Sequence, residues 1–209
     1  MSLLSRLAIP ILAGAVLFSP LRATAQEKPQ KASVSLGVGA YSSLSESIRD
    51  VYGPMIRFKV GGELNLSDKL QVGLSTGFMS KKGNIYIYST KYSGPGNLSG
   101  LNLSLLQLDA FARYQVPLNK ISVYFGGGLN YTFARQRESL SDLRSDDTTA
   151  NSFGFSGHAG VNFHASTLGD FYLELSGGTS QTRWDWGGEV GENDFGGFCL
   201  EVGIRPVFR

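Results

Sequence analysis

The sequence has little cysteine, little net charge and few long apolar runs. Its one cysteine, Cys199, excludes an internal disulfide framework. The formal net charge at pH 7 is only +2, so there is no basic excess that would indicate a nucleic-acid partner. Beyond the N-terminal region, no stretch is apolar enough to form a transmembrane helix. If the protein resides in a membrane, it must cross it with strands.

The N-terminal region has the layout of a secretory signal peptide. Arg6 precedes an apolar run over residues 7–18, and the small-residue triplet Ala23-Thr24-Ala25 follows. The apolar run is too short to cross a bilayer core of about 30 Å as a helix. We therefore predict a signal peptide over 1–25, cleaved after Ala25, then a short periplasmic segment over 26–32 and a single domain over 33–209.

Glycine is abundant, with 27 of 209 residues, against a usual share of about 7 %. Because no G-x-y period is present, the composition does not indicate collagen. Glycines interleaved with aromatic residues along many short strands are typical of β-barrels. In lipid, a closed barrel is the only alternative to helices that pairs every backbone polar group.

Apolar and polar residues alternate with a period of two in eight segments, which predicts eight strands. In one of them Ile56, Phe58 and Val60 share one face, while Arg57 and Lys59 share the other. The segments begin near residues 34, 56, 70, 101, 121, 153, 171 and 198.

One segment breaks its own pattern. Leu101, Leu103 and Leu105 have the opposite parity to the apolar residues that follow, starting with Leu106. An extra residue in a strand would reset its two faces, so we predict a β-bulge near Leu105-Leu106.

The connections sort by length, which favours a membrane barrel over a soluble one. Outer-membrane barrels have short periplasmic turns, longer outer loops and an even number of strands. A soluble barrel can also alternate, but its loops need not sort in this way. Three connections are short (67–69, 117–120 and 166–170) and four are longer and polar (42–54, 80–100, 135–152 and 184–194).

Aromatic residues on the apolar faces fall near both ends of the predicted strands. Lipid-facing barrels carry such belts at the two membrane interfaces, although aromatic residues also favour strands in general. One set is next to the short turns (Tyr114, Phe163, Phe171 and Phe208), and the other is next to the long loops (Phe78, Phe133, Phe153 and Phe198). We predict an all-β fold, a closed antiparallel transmembrane β-barrel of eight strands.

Three features resemble the outer-membrane β-barrel domain family, which includes OmpA/OmpX-type small barrels and porin-like domain proteins. They are the runs Leu-Leu-Gln-Leu-Asp at 105–109 and Tyr-Phe-Gly-Gly-Gly-Leu at 124–129, and the aromatic Phe208 near the end. The resemblance implies a location in the outer membrane, among outer-membrane lipid and lipopolysaccharide, and assembly by the barrel-assembly machinery. It implies no cofactor, no metal and no enzymatic activity.

The resemblance also implies a function as an envelope scaffold or as a surface binding or adhesion protein. An eight-stranded barrel is just wide enough to be filled by its own side chains. Four cations and four carboxylates have the inward parity, and their balance predicts a cross-linked polar plug rather than a narrow porin-like channel, which is the alternative. This predicted lumen network consists of Arg57, Lys59, Glu63, Asp109, Arg113, Glu174, Glu201 and Arg205.

A third alternative is a lipid-modifying enzyme. His164-Ala165-Ser166 with Glu174 is similar to the His-x-Ser plus Glu arrangement of outer-membrane lipid A deacylases, in which a base activates a serine. We favour a structural interpretation, in which His158 and His164 are hydrogen-bonded groups of a polar lumen. The acidic residues of the third and fourth loops match no calcium motif, so no metal site is predicted.

Aromatic residues in the longer segments form a candidate contact surface. Exposed aromatic rings stack on sugars, but they also anchor strand ends at the level of the lipid headgroups. Anchoring is the simpler interpretation, and a binding surface is the alternative. The residues are Tyr86, Tyr88, Tyr92, Trp184 and Trp186.

Overall fold

The described part of the chain forms ten strands and one short helix. The computed structural model describes residues 32–83, 87–88, 98–139, 145–165, 169–186 and 189–206. The helix α1 (Glu46–Tyr52) lies between the first two strands. The strands are β1 (Ala32–Ser43), β2 (Met55–Asn65), β3 (Leu70–Lys82), β4 (Ile87–Tyr88), β5 (Leu98–Leu118), β6 (Ile121–Ser139), β7 (Ser145–Ala165), β8 (Gly169–Trp186), β9 (Glu189–Asp194) and β10 (Gly197–Arg205).

Eight of the strands close into one antiparallel barrel, so the predicted fold class is confirmed. Neighbouring strands are antiparallel in the order β1-β2-β3-β5-β6-β7-β8-β10, and the pairing of β10 with β1 closes the barrel. β9 pairs with the C-terminal part of β8, so it continues the line of β10 along that strand. β4 forms only a short ladder with β5. Since β1 pairs with β10, neither strand is left as an unpaired edge.

The wall turns its apolar residues outward. Ile56 is 62 % exposed and Phe58 is 59 % exposed, whereas Arg57 and Lys59 between them are buried. A soluble barrel would have the opposite arrangement, with apolar side chains inside and charges in water. An outward apolar surface on every wall is instead the arrangement that lipid requires. The predicted faces of the strands are therefore observed, except at the beginning of β5.

Two of the predicted short turns lie within the described residues. At 67–69 the chain reverses tightly, and the backbone N–H of Leu66 donates to the carbonyl of Leu70 at 2.9 Å. Between β5 and β6 the turn is Asn119-Lys120, with Asn119 at φ 53°. Asparagine tolerates this left-handed conformation better than most residues, which explains its place in a two-residue hairpin turn. The third predicted turn, 166–170, lies largely outside the described residues.

The predicted bulge at Leu105-Leu106 is wrong. β5 pairs without interruption with β3 and β6, with Leu105 opposite Ala134 and Leu106 opposite Phe133. The strand keeps a single parity, so Leu101, Leu103 and Leu105 point into the barrel. At the beginning of β5 the inward residues are apolar and the outward residues are polar, whereas farther along the strand the inward residues are mostly polar and the outward ones apolar. This exchange produces the same change of pattern as an inserted residue.

The long connections contain more regular structure than predicted, because backbone pairing does not depend on the polarity of the side chains. β6 continues to Ser139 and β7 begins at Ser145, so most of the predicted loop 135–152 is strand. β8 and β9 likewise form a ladder over much of 184–194. We call the end of the barrel with these extensions the outer end, and the end with the short turns the periplasmic end.

The predicted polar segment 42–54 contains α1, which the sequence analysis missed. Ile48, Val51 and Tyr52 recur at helical spacing and are buried, so the helix packs one apolar face onto the barrel. Lys81 Nζ donates to the carbonyl of Pro54 at 2.7 Å, which places a positive charge near the C-terminal end of α1. Among the described residues, no helix is long and apolar enough to cross a membrane.

Candidate functional site

Every member of the predicted lumen network lies inside the barrel. β2 carries three of them, β5 and β10 carry two each and β8 carries one, all on the inward parity of the strands. A desolvated charge is costly unless it is paired and hydrogen-bonded, so eight such residues in one interior must be partners of one another. Their exposures are 5 % or less: Arg57, Lys59, Glu63, Asp109, Arg113, Glu174, Glu201 and Arg205.

Glu174 is the hub of the network. Its Oε1 accepts a hydrogen bond from Lys59 Nζ at 2.8 Å and lies 3.2 Å from His158 Nδ1. Its Oε2 accepts from Arg113 Nη2 at 2.6 Å and from the Tyr124 hydroxyl at 2.8 Å. The Glu174 side chain is completely buried. Both carboxylate oxygens are therefore committed to charged or polar partners from four other strand positions.

The two cations that bind Glu174 each contact a second carboxylate. Lys59 Nζ lies 3.2 Å from Glu201, and Arg113 Nη1 lies 3.0 Å from Glu63. The result is a continuous chain of alternating charges that joins β2, β5, β8 and β10. Because both of these cations bridge two carboxylates, the lumen is cross-linked across its whole width rather than strand by strand.

Tyrosine and arginine side chains complete the network towards the periplasmic end. Arg205 Nε lies 3.1 Å from Glu63, and the Tyr172 hydroxyl donates to Glu201 at 2.6 Å. The Arg205 guanidinium also lies 5.1 Å from the Tyr124 ring centroid and 4.7 Å from that of Tyr172. Such cation–π contacts add attraction and fill the space between the ion pairs.

Arg57 and Asp109 form a separate pair nearer the outer end. Arg57 Nη2 donates to Asp109 Oδ2 at 3.1 Å, and both side chains are almost fully buried. The structure thus brings the eight predicted charges together as one extended cluster and one neighbouring pair.

Interior glycines leave room for the network's tyrosines. A Cβ on Gly37 would come within 2.5 Å of Glu201 Oε1, and one on Gly160 would come within 2.5 Å of Tyr124 Cζ. Since real Cβ atoms essentially never make such contacts, a larger residue at Gly37 would displace Glu201, and one at Gly160 would displace Tyr124. This close approach explains part of the glycine content of the strands.

Towards the outer end much of the interior is apolar, beside a small polar group formed by Thr132, Ser152 and Ser180 on β6, β7 and β8. The apolar cap is the cluster of Tyr41, Ile48, Val51, Tyr52, Met55, Met79, Leu101, Leu103, Leu105, Ala134, Phe195 and Cys199. The apolar face of α1 packs onto inward-facing strand residues, and the Tyr41 hydroxyl donates to the Phe195 carbonyl at 2.6 Å. Sequence reasoning missed this cap, although two signals were present: the helical spacing in α1 and the parity of Leu101, Leu103 and Leu105.

A line of three polar residues in the lumen resembles a nucleophile and its base. Ser156 Oγ lies 3.1 Å from His158 Nε2, and His158 Nδ1 lies 3.2 Å from Glu174. The alternation of the sequence places Ser156 and His158 on the same inward face, but it does not predict their contact. In a hydrolase the acid orients the histidine, but here Glu174 is neutralised by Lys59 and Arg113. The line is best described as part of the buried network.

Of the residues that the enzyme alternative requires, the two within the described chain, His164 and Glu174, do not come together. His164 Nδ1 lies 3.0 Å from Asp170 beside the periplasmic end. Glu174 is four residues farther along β8 than Asp170, about 13 Å at the rise of a strand. Ser166 lies outside the described residues. His164 therefore pairs with Asp170, and Glu174 belongs to the network.

The candidate contact surface is only partly within the described chain. Tyr86 and Tyr92 lie outside it, and Tyr88 pairs with Leu98 in the β4–β5 ladder. Trp184 and Trp186 are opposite Gly191 and Glu189 in the β8–β9 ladder, and their side chains lie outside the description. The backbone thus places the two tryptophans on one strand at the outer end.

Comparisons with known proteins agree with this architecture. The neisserial surface protein NspA is 13 % identical and aligns with 85 % of this chain and 97 % of its own, with a TM-score of 0.53. A major outer membrane protein from Thermus thermophilus is 14 % identical, with 85 % and 99 % coverage and a TM-score of 0.50. Ail, the attachment invasion locus protein of Yersinia pestis, has the same identity, coverage and TM-score in its complex with the heparin analogue sucrose octasulfate. No curated protein sequence matches the chain.

The closed wall, the outward apolar surface and the buried charges define a small outer-membrane β-barrel protein. The model of the outer membrane protein beta-barrel domain family matches residues 11–192, and the chain belongs to that family. The predicted resemblance and location are therefore confirmed. Small barrels of this kind are typically not enzymes.

Proposed function

We propose that the protein is a non-conducting barrel that acts as an envelope scaffold and presents its outer end for surface binding. The observation that carries this proposal is the interior, which is filled at two levels. Around Glu174 the lumen contains a cross-linked network of buried ions. Above it, α1 and the apolar cap occupy the outer end.

The two fillings oppose conduction for different physical reasons. An ion that entered the polar level would have to replace partners such as Lys59 and Arg113, which hold Glu174 at 2.8 and 2.6 Å. An ion in contact with the apolar cap would lose hydration against side chains that offer it no charged ligand, which costs several kcal/mol or more. A narrow channel would need both levels to open together.

Single-channel recording in planar bilayers tests the non-conducting lumen. We expect no steady conductance steps from the folded protein, because the network and the cap block the interior in series. The same preparation, reconstituted into liposomes, should float with the lipid and keep its folded mobility on gels, which shows that it had inserted. Steady currents from inserted protein would refute the proposal and favour the narrow channel.

The surface-binding part of the proposal concerns the aromatic residues at the outer end. Cells that express the protein should adhere to immobilised glycans, on which exposed aromatic rings stack, and Trp184→Ala/Trp186→Ala should weaken that adhesion. Lys69→Gln, in a short turn at the periplasmic end, is the matched control and should leave it unchanged. Equal adhesion of the double variant and the wild type would confine the function to the scaffold.

A further inference from the structure

On one side of the barrel, the outward surface changes abruptly from apolar to basic. Phe58, Phe78, Leu106 and Phe133 are direct partners in neighbouring strands and form an apolar row across β2, β3, β5 and β6. The three phenylalanines are 41–59 % exposed. Of the described wall residues below this row on these strands, none that faces outward is charged. The row therefore marks the upper part of the lipid-facing surface on β3, β5 and β6, whereas on β2 the outward Ile56, two residues farther, is still apolar.

On β3, β5, β6 and β7, the next two outward rows towards the outer end are polar. They lie about 7 and 13 Å beyond the apolar row along the strands. The first row is Ser80, Ser104, Arg135 and Thr149, and the second is Lys82, Asn102, Arg137 and Asp147. We call Lys82, Arg135 and Arg137 the basic rim. On this part of the described wall, they are the first outward-facing cations beyond the lipid-facing surface.

Asp147 holds the two arginines of the basic rim in place. Arg135 Nη2 donates to Asp147 Oδ2, and Arg137 Nε donates to Asp147 Oδ1 at 3.1 Å. These two hydrogen bonds hold the pKa of Asp147 below its usual range, so the carboxylate stays ionised. A guanidinium has five N–H donors, and Asp147 accepts one from each arginine. The arginine side chains remain 39 % and 52 % exposed, so donors are left for an external anion.

The rim has the charge and the hydrogen-bond donors to hold phosphate. Three cations face one carboxylate, which leaves the patch positive. Lys82 and Arg137 are both opposite Asn102 in β5, one from each side, so about 10 Å of wall separates their strands. Arginine binds phosphate with paired N–H donors, and lysine binds it as a point charge.

We propose that the basic rim binds the phosphate groups of outer-leaflet lipopolysaccharide, at the level where lipid A carries them. The inference rests on the outer-membrane location and on the geometry of the rim, and it is independent of the proposed roles of the lumen and the aromatic surface. Binding would fix the depth and the rotation of the barrel relative to the surrounding glycolipid, because the rim covers only one side of the wall.

Native mass spectrometry of the folded full-length protein in nonionic detergent, titrated with bisphosphorylated lipid A, tests the proposal. Each cation near an anionic membrane surface contributes an attraction equivalent to about a fivefold change in affinity. We therefore expect Lys82→Gln to weaken lipid A binding about fivefold and Arg135→Gln/Arg137→Gln to weaken it about 25-fold. Lys120→Gln, an exposed cation at the periplasmic end, should change nothing.

Asp147→Asn separates a ligand site from a merely structural cluster. Removing the internal competitor should tighten lipid A binding if the arginines hold external phosphate, whereas a structural role predicts no change or a loss. Enzymatically dephosphorylated lipid A should bind the wild type and the rim variants equally.

Two outcomes would overturn the proposal. One is equal binding of lipid A by the wild type and the rim variants, with all of them folded on gels. The other is an equal effect of the rim variants on phosphatidylglycerol, which would make the rim a general anionic surface and not a lipopolysaccharide site.

Discussion

Glu174→Gln is the most direct test of the buried network. The substitution keeps the shape of the side chain and removes one negative charge from the centre of the lumen. Lys59 and Arg113, at 2.8 and 2.6 Å, lose their shared carboxylate but keep Glu201 and Glu63 as second partners. The new amide group also presents N–H donors to a site that is already occupied by donors.

The expected magnitude follows from the burial. Removing one partner of a buried ion pair typically costs about 3–5 kcal/mol, because an uncompensated charge remains in the interior. Since both cations keep a second carboxylate, we expect the free energy of unfolding to fall by about 3 kcal/mol, at the lower end of this range. Glu46→Gln is the matched control, because the Glu46 side chain is 86 % exposed and such surface pairs contribute about 0–1 kcal/mol.

Urea unfolding of the folded barrel in lipid vesicles measures the difference. With an m value of about 2 kcal/mol/M, a loss of about 3 kcal/mol lowers the midpoint by roughly 1.5 M without changing m. Single surface substitutions usually stay within about 0.5 kcal/mol of the wild type. If Glu174→Gln also stayed within that margin, the lumen would be hydrated and the reasoning from buried ion pairs would be refuted.

Three further predictions concern the cap, the orientation and the closure of the barrel. The Cys199 thiol is buried in the same apolar cap as Val51 and should react slowly with a maleimide. Val51→Asp should loosen α1 and speed the labelling about tenfold, and equal rates would contradict the packing of the helix. Proteases added to intact cells should cut within 80–100 or 135–152 and spare the turn 67–69, whereas cleavage only at short turns would mean an inverted barrel. The folded protein should run faster on gels before boiling than after it, and identical mobility would count against a closed wall without edges.

The sequence by itself determined the class and the faces of the wall. A period of two, with Ile56 and Phe58 on one side and Arg57 and Lys59 on the other, has only one solution in lipid, with the apolar side outward. The same parity placed eight charges inside, because a strand alternates its faces whatever it pairs with. Location, strand number and the inward charges were therefore accessible without coordinates.

Only the tertiary structure decided which charges meet and what fills the outer end. Lys59 and Glu174 are 115 residues apart in sequence, and their contact depends on the curvature that brings β2 and β8 to face each other across one lumen. Leu101, Leu103 and Leu105 alternate equally well as an outward or an inward face, so the pattern suggested a bulge where none exists. Their inward packing depends on α1, whose apolar face is satisfied only by the mouth of the closed barrel. The alternation of residues shows the two faces of a strand, but which side chains each face contacts depends on how the barrel closes.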